Sequence, residues 1–110
     1  LFATLAGVSK VGSYYVTAAN STNIDCGFSG TARFILIKRT DAAGSWYVYD
    51  SVRGITAAGS NDPYMLMNTN SADVTNTDYI ATYAGGFNLT TSGSSTINVS
   101  GGSYIFLAIA

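Results

Sequence analysis

Two neighbouring stretches of this chain, Arg33–Arg39 and Ser45–Val52, are apolar on both faces when drawn as strands. No other feature narrows the possible folds as much. Their connection, Thr40-Asp41-Ala42-Ala43-Gly44, has an Asp to open a turn and a Gly near its end to supply positive φ. Setting Arg39 opposite Ser45 places Ile37 across from Tyr47 and Ile35 across from Tyr49. The other face then carries Leu36 across from Val48 and Lys38 across from Trp46. Aromatic and β-branched cross pairs of this kind stabilise a sheet by roughly 0.2–1 kcal/mol each. The closing stretch Ser103–Ile109 repeats the pattern, with Tyr104, Phe106 and Ala108 on one side and Ile105, Leu107 and Ile109 on the other. An antiparallel sheet usually has one wet face. A strand greasy front and back needs a layer on each side, and 110 residues hold one core. The second layer is another segment of this chain or another subunit, and sparse charge favours a subunit, with Ile35, Ile37, Tyr47 and Tyr49 as subunit-interface residues of a homo-oligomer, a trimer being favoured.

The rest of the chain is read as strands too. Glu and Gln are absent and β-branched and aromatic residues abundant, so no window shows a helical stripe. The further predicted strands are Ser13–Ala18, Ile24–Phe28, Tyr64–Asn68, Asp78–Tyr83, Phe87–Thr91 and Thr96–Val99, separated by Gly, Asn, Ser and Asp. Eight or nine short strands predict an all-β, antiparallel β-sandwich of jelly-roll-like form with no significant helix. The only proline, Pro63, falls where the loop Arg53–Asp62 hands over to a strand, a place that tolerates a missing N–H. Residues 1–12 are assigned to an N-terminal arm or linker and residues 13–110 to the single domain. Opening at Leu1 without an initiator methionine, the chain is read as processed or as part of a longer protein.

Composition closes off several functions. Five dispersed Lys and Arg leave no electrostatic footprint for nucleic acid. Without His and with one Cys, zinc and haem sites and His-based acid–base catalysis are excluded. Cys26 shares a predicted strand face with Ile24 and Phe28 and is read as a small buried hydrophobe. The longest apolar run, Tyr104–Ala110, is far short of a membrane-spanning helix, and no insertion is expected. All six acidic residues are Asp, most of them in contexts where Asp serves the backbone of a turn. Asn61, Asp62, Asp73 and Asp78 lie in oxygen-rich loops of the kind calcium uses, yet no EF-hand or repeat spacing is present. Metals, cofactors and catalysis are therefore not expected. For catalysis the rival is a polysaccharide-cleaving enzyme working through a carboxylate such as Asp50 or Asp62.

Recognition is the remaining functional class. Eight Tyr and Trp46 offer amphipathic rings suited to glycan or protein surfaces. Trp46 and Tyr64 each border a loop, which gives Trp46, Arg53, Asn61, Asp62 and Tyr64 as candidate receptor or partner contacts. Asp50 and Arg53 are placed for a local ion pair.

The order of motifs also resembles a known group. Arg33-Phe34-Ile35-Leu36-Ile37-Lys38-Arg39-Thr40-Asp41, then Gly44-Ser45-Trp46-Tyr47-Val48-Tyr49-Asp50-Ser51-Val52-Arg53-Gly54, are followed by Tyr64-Met65-Leu66-Met67-Asn68, Gly86-Phe87-Asn88-Leu89 and the closing Ser100-Gly101-Gly102-Ser103-Tyr104-Ile105-Phe106-Leu107-Ala108-Ile109-Ala110. Together they resemble a family of β-sandwich domains in tail-fibre and other structural proteins of bacteriophages, many of them marine. The likeness runs from about Val11 to Ala110. It implies a virion structural protein exposed on the particle exterior, a tail-fibre or tail-appendage module taking part in adhesion to host-surface glycan or protein, with other virion proteins as partners. The alternative it leaves is a capsid decoration or cement protein with an architectural role. It carries over no active-site or receptor residue.

Overall fold

The computed structural model describes residues 2–91 and 95–110; Leu1, counted with the arm, lies outside them. Eight strands form: β1 (Ser9–Tyr15), β2 (Thr22–Asp25), β3 (Phe34–Arg39), β4 (Trp46–Asp50), β5 (Met65–Leu66), β6 (Ile80–Tyr83), β7 (Gly86–Leu89) and β8 (Ser103–Ile109). They make two antiparallel sheets, one in the order β1-β8-β3-β4-β5 and the other β2-β7-β6. No helix occurs among the described residues. The chain is an all-β sandwich, as expected. The last strand, β8, lies inside the larger sheet, second from its edge, between β1 and β3.

The β3–β4 hairpin has the predicted register: Ile35 faces Tyr49, Leu36 faces Val48, Ile37 faces Tyr47 and Lys38 faces Trp46. The core lies between the sheets. Ile35, Ile37, Tyr49, Tyr104, Phe106 and Ala108 point inward from the large sheet and meet Ile24, Ile80, Phe87 and Leu89 of the small one. Phe87 and Phe106 join the layers edge to face, with ring centroids 5.4 Å apart. Tyr64 anchors the other end, 5.1 Å from Tyr47, 5.5 Å from Tyr49 and 6.0 Å from Tyr79.

Several elements differ from expectation, β2 among them, which spans Thr22–Asp25 and not Ile24–Phe28. β1 begins at Ser9, so residues 9–12 belong to the sheet and not to an arm. Its start is hidden in the sequence because Gly12 breaks the apolar pattern. The glycine is needed there, since a Cβ would come within 2.8 Å of the Phe106 ring. Residues 2–8 double back instead: Leu5 bridges Ser9, and the Thr4 hydroxyl accepts from Val11 N–H at 3.2 Å. β5 shrinks to two residues. Thr96–Val99 is no strand, because tyrosines satisfy its backbone in place of a ladder. Tyr14 Oη donates to the Ile97 carbonyl at 2.8 Å, Tyr104 Oη donates to the Thr96 carbonyl at 2.9 Å, and Val99 N–H donates to Tyr104 Oη at 3.2 Å.

Candidate functional site

Both faces of the large sheet are apolar, but the inward one is not the one expected at an interface. Ile35, Ile37 and Tyr49 are fully buried against the chain's own second sheet, and Tyr47 packs against the same core. Their assignment to a subunit interface is corrected accordingly. The hairpin alone could not say which side turns in; the uncharged run between the ends of the Ile35–Ile37 face, against Lys38 and Asp50 on the other, was the available signal.

The outer face is the open one. Register aligns Val11, Leu107, Leu36, Val48 and Met65 in one apolar row across all five strands. The row beside it runs Ser13, Ile105, Lys38 and Trp46. Val48 and Leu107 are nearly covered, whereas Val11 and Ile105 are each 42% exposed and Trp46 37%. The segment leading into β1 supplies Phe2, which is 70% exposed. Phe2, Val11, Leu36, Trp46, Ile105 and Leu107 line a groove of about 320 Å³. A second apolar hollow continues from Phe2 and Trp46 to Met67. Apolar side chains that gather in this way, instead of being scattered singly, point to an interaction site.

The candidate contact residues do not gather. Trp46 stands on the outer face, its N–H donating to Asn68 Oδ1 at 3.0 Å. Asn61 is exposed. Arg53 is held by two aspartates: its Nε donates to Asp73 Oδ2 at 2.8 Å and its Nη1 to Asp50 Oδ2. Burial opposes charge on Asp50, but the bonds from the Arg53 N–H and guanidinium outweigh it and hold the acid below its usual range. Two of the set are interior, which corrects their reading as contacts. Tyr64 is the aromatic hub described above, 8% exposed, and Asp62 is 0% exposed.

Asp62 instead organises its own loop. Its Oδ1 accepts from Thr56 N–H at 2.5 Å and from the Thr56 hydroxyl at 3.0 Å. Burial first, and the charge of Asp78 after it, push its acid above the ordinary value, against the pull of the Thr56 bonds. Asp25, Asp41, Asp50 and Asp78 each accept a backbone N–H as well, from Gly27, Ser103, Arg53 and Gly59. Cys26 is buried, and burial followed by the neighbouring Asp25 charge raises its thiol to about 11, which keeps it protonated at neutral pH.

A family described as Domain of unknown function (DUF7483) matches residues 1–110. The chain belongs to this family. No curated protein and no solved structure matches it. In this member of the family, sequence reasoning missed Phe2, Met67 and Leu107 as parts of the exposed groove. Leu107 was legible from its alternation with Ile105 and Ile109; Phe2 and Met67 were not, because they reach the groove from outside the strands.

Proposed function

We propose that the domain is a non-catalytic structural module of a bacteriophage particle, of the tail-fibre or tail-appendage kind, which packs through the outer face of its five-stranded sheet against further copies of itself. The observation that carries the packing is the unbroken apolar row from Val11 to Met65, flanked by exposed Trp46 and Ile105. Two copies meet there with little electrostatic opposition, since the chain has a net charge of −1 and the two rows contain one charged side chain, Lys38. The virion setting is supported by the likeness of residues 11–110 to phage structural domains. Assembly is favoured over adhesion because Asp62 and Tyr64 face inward and Arg53 is occupied by Asp50 and Asp73.

Light scattering on the purified chain tests the packing. The wild type is expected at a multiple of the chain mass, three being the favoured number, and Val11→Lys with Ile105→Lys at the monomer mass with its circular dichroism intact. A wild-type monomer at high concentration ends this reading of the face. Imaging of particles tests the setting: density on the tail supports the proposal, high-copy density on the shell favours the cement alternative, and absence from particles overturns both.

A further inference from the structure

We propose that Asp62, Thr77 and Asp78 form a binding site for a calcium ion. Three of their oxygens are buried without any partner among the described residues: Asp62 Oδ2, Thr77 Oγ1 and Asp78 Oδ1. An unsatisfied buried carboxylate oxygen is costly, and Asp62 is wholly withdrawn from solvent. The three residues are tied into one unit. Asp62 N–H donates to the Thr77 carbonyl at 2.8 Å, Gly59 N–H donates to Asp78 Oδ2 at 2.8 Å, and Thr56 fixes Asp62 Oδ1. Each aspartate thus has one oxygen committed to the loop 56–62 and the other oxygen free. Gly59 lies in the left-handed region, at φ +93, which lets its N–H turn toward Asp78.

The donors select the ion. No three His, Cys, Asp or Glu side chains gather among the described residues, so the set is two carboxylates and a hydroxyl. All are hard oxygens, and nothing present would hold zinc or copper. Calcium accepts six to eight oxygens in flexible geometry, while magnesium demands a near-ideal octahedron and dehydrates reluctantly. With only two carboxylates the site belongs to the weak class, with a dissociation constant on the order of 10⁻⁴–10⁻³ M. Beside the site, Gly59 and Asp78 line an open groove of about 590 Å³, together with Ser21, Asn88 and Thr90.

Terbium, a calcium surrogate that emits when excited through nearby tyrosine, tests this directly, because Tyr64 and Tyr79 lie within two residues of the aspartates. The wild-type chain is expected to sensitise terbium and to lose the emission as calcium is added. Calcium at ten times the dissociation constant is expected to raise the folded-to-unfolded ratio about elevenfold, with EDTA reversing the gain. Asp78→Asn and Asp62→Asn are expected to lose both responses and Asp41→Asn to keep them; if Asp62→Asn fails to fold, Asp78→Asn decides alone. Unchanged stability in millimolar calcium, terbium emission equal in wild type and Asp78→Asn, or an equal response to magnesium overturns the site.

Discussion

At the scale of single residues, two fully buried tyrosines put their hydroxyls to opposite use. Tyr104 is 1% exposed, and its hydroxyl serves the Thr96 carbonyl and Val99 N–H together. Tyr49 is equally buried, but its hydroxyl has no protein partner. Removing an oxygen has opposite consequences in the two places. Tyr104→Phe takes the partner from two half-buried backbone groups and is expected to destabilise the fold by about 1 kcal/mol. Tyr49→Phe removes an unsatisfied group and keeps the ring, so a gain of about 1 kcal/mol is expected. Urea unfolding of both variants checks the signs, and a loss in Tyr49→Phe contradicts the account. These roles were not legible in the sequence, which assigned Tyr49 to a subunit interface and Tyr104 to a strand face but gave neither hydroxyl a partner. A hydroxyl's partner is fixed by distant chain, such as residue 97 for Tyr14, and no local pattern encodes it. The pairing of Asp50 with Arg53 was legible because it is local, three residues apart, whereas the Asx bond from Gly27 N–H to Asp25 was hidden in a stretch that reads as a strand.

At the scale of elements, the β3–β4 hairpin was readable down to each facing pair, because alternation and turn chemistry fix register between them. Elements held by distant neighbours were not. Thr96–Val99 has the composition of a strand and no ladder to join, and β1 begins before its apolar pattern does. The small sheet depends on a close approach that only one residue type permits. A Cβ on Gly86 would lie 2.0 Å from the Ile24 carbonyl oxygen and 3.1 Å from Cys26 N. The obstacle is backbone in a paired strand, which cannot swing aside. Gly86→Ala is therefore expected to force β2 from β7 and to cost more than about 3 kcal/mol, a loss at the large end for point substitutions. Gly30→Ala, with nothing within 4 Å, is the matched control and is expected near neutral. Denaturant midpoints of the pair test this, and similar values for both contradict the packing described for Gly86.

At the scale of the molecule, the sequence announced that one sheet is apolar on both sides but not which side the chain would cover itself. That choice belongs to the second sheet, whose Ile24, Ile80, Phe87 and Leu89 claim the face with Tyr49 and Phe106. Topology adds a second global property. β8 pairs with β1 on one side and β3 on the other, so removing it cuts the larger sheet in two. A chain stopped after Gly102 is expected to lack a folded NMR spectrum, and dispersed signals from it would contradict that central role. The ribosome makes the keystone of this sheet last. Until residue 109 clears the exit tunnel, the β3–β4 hairpin has neither its flanking strand nor its full inner cover, so the nascent domain cannot settle by stages. It condenses only once β8 has emerged, and chaperones that hold bare hydrophobic hairpins have the interval before that in which to act.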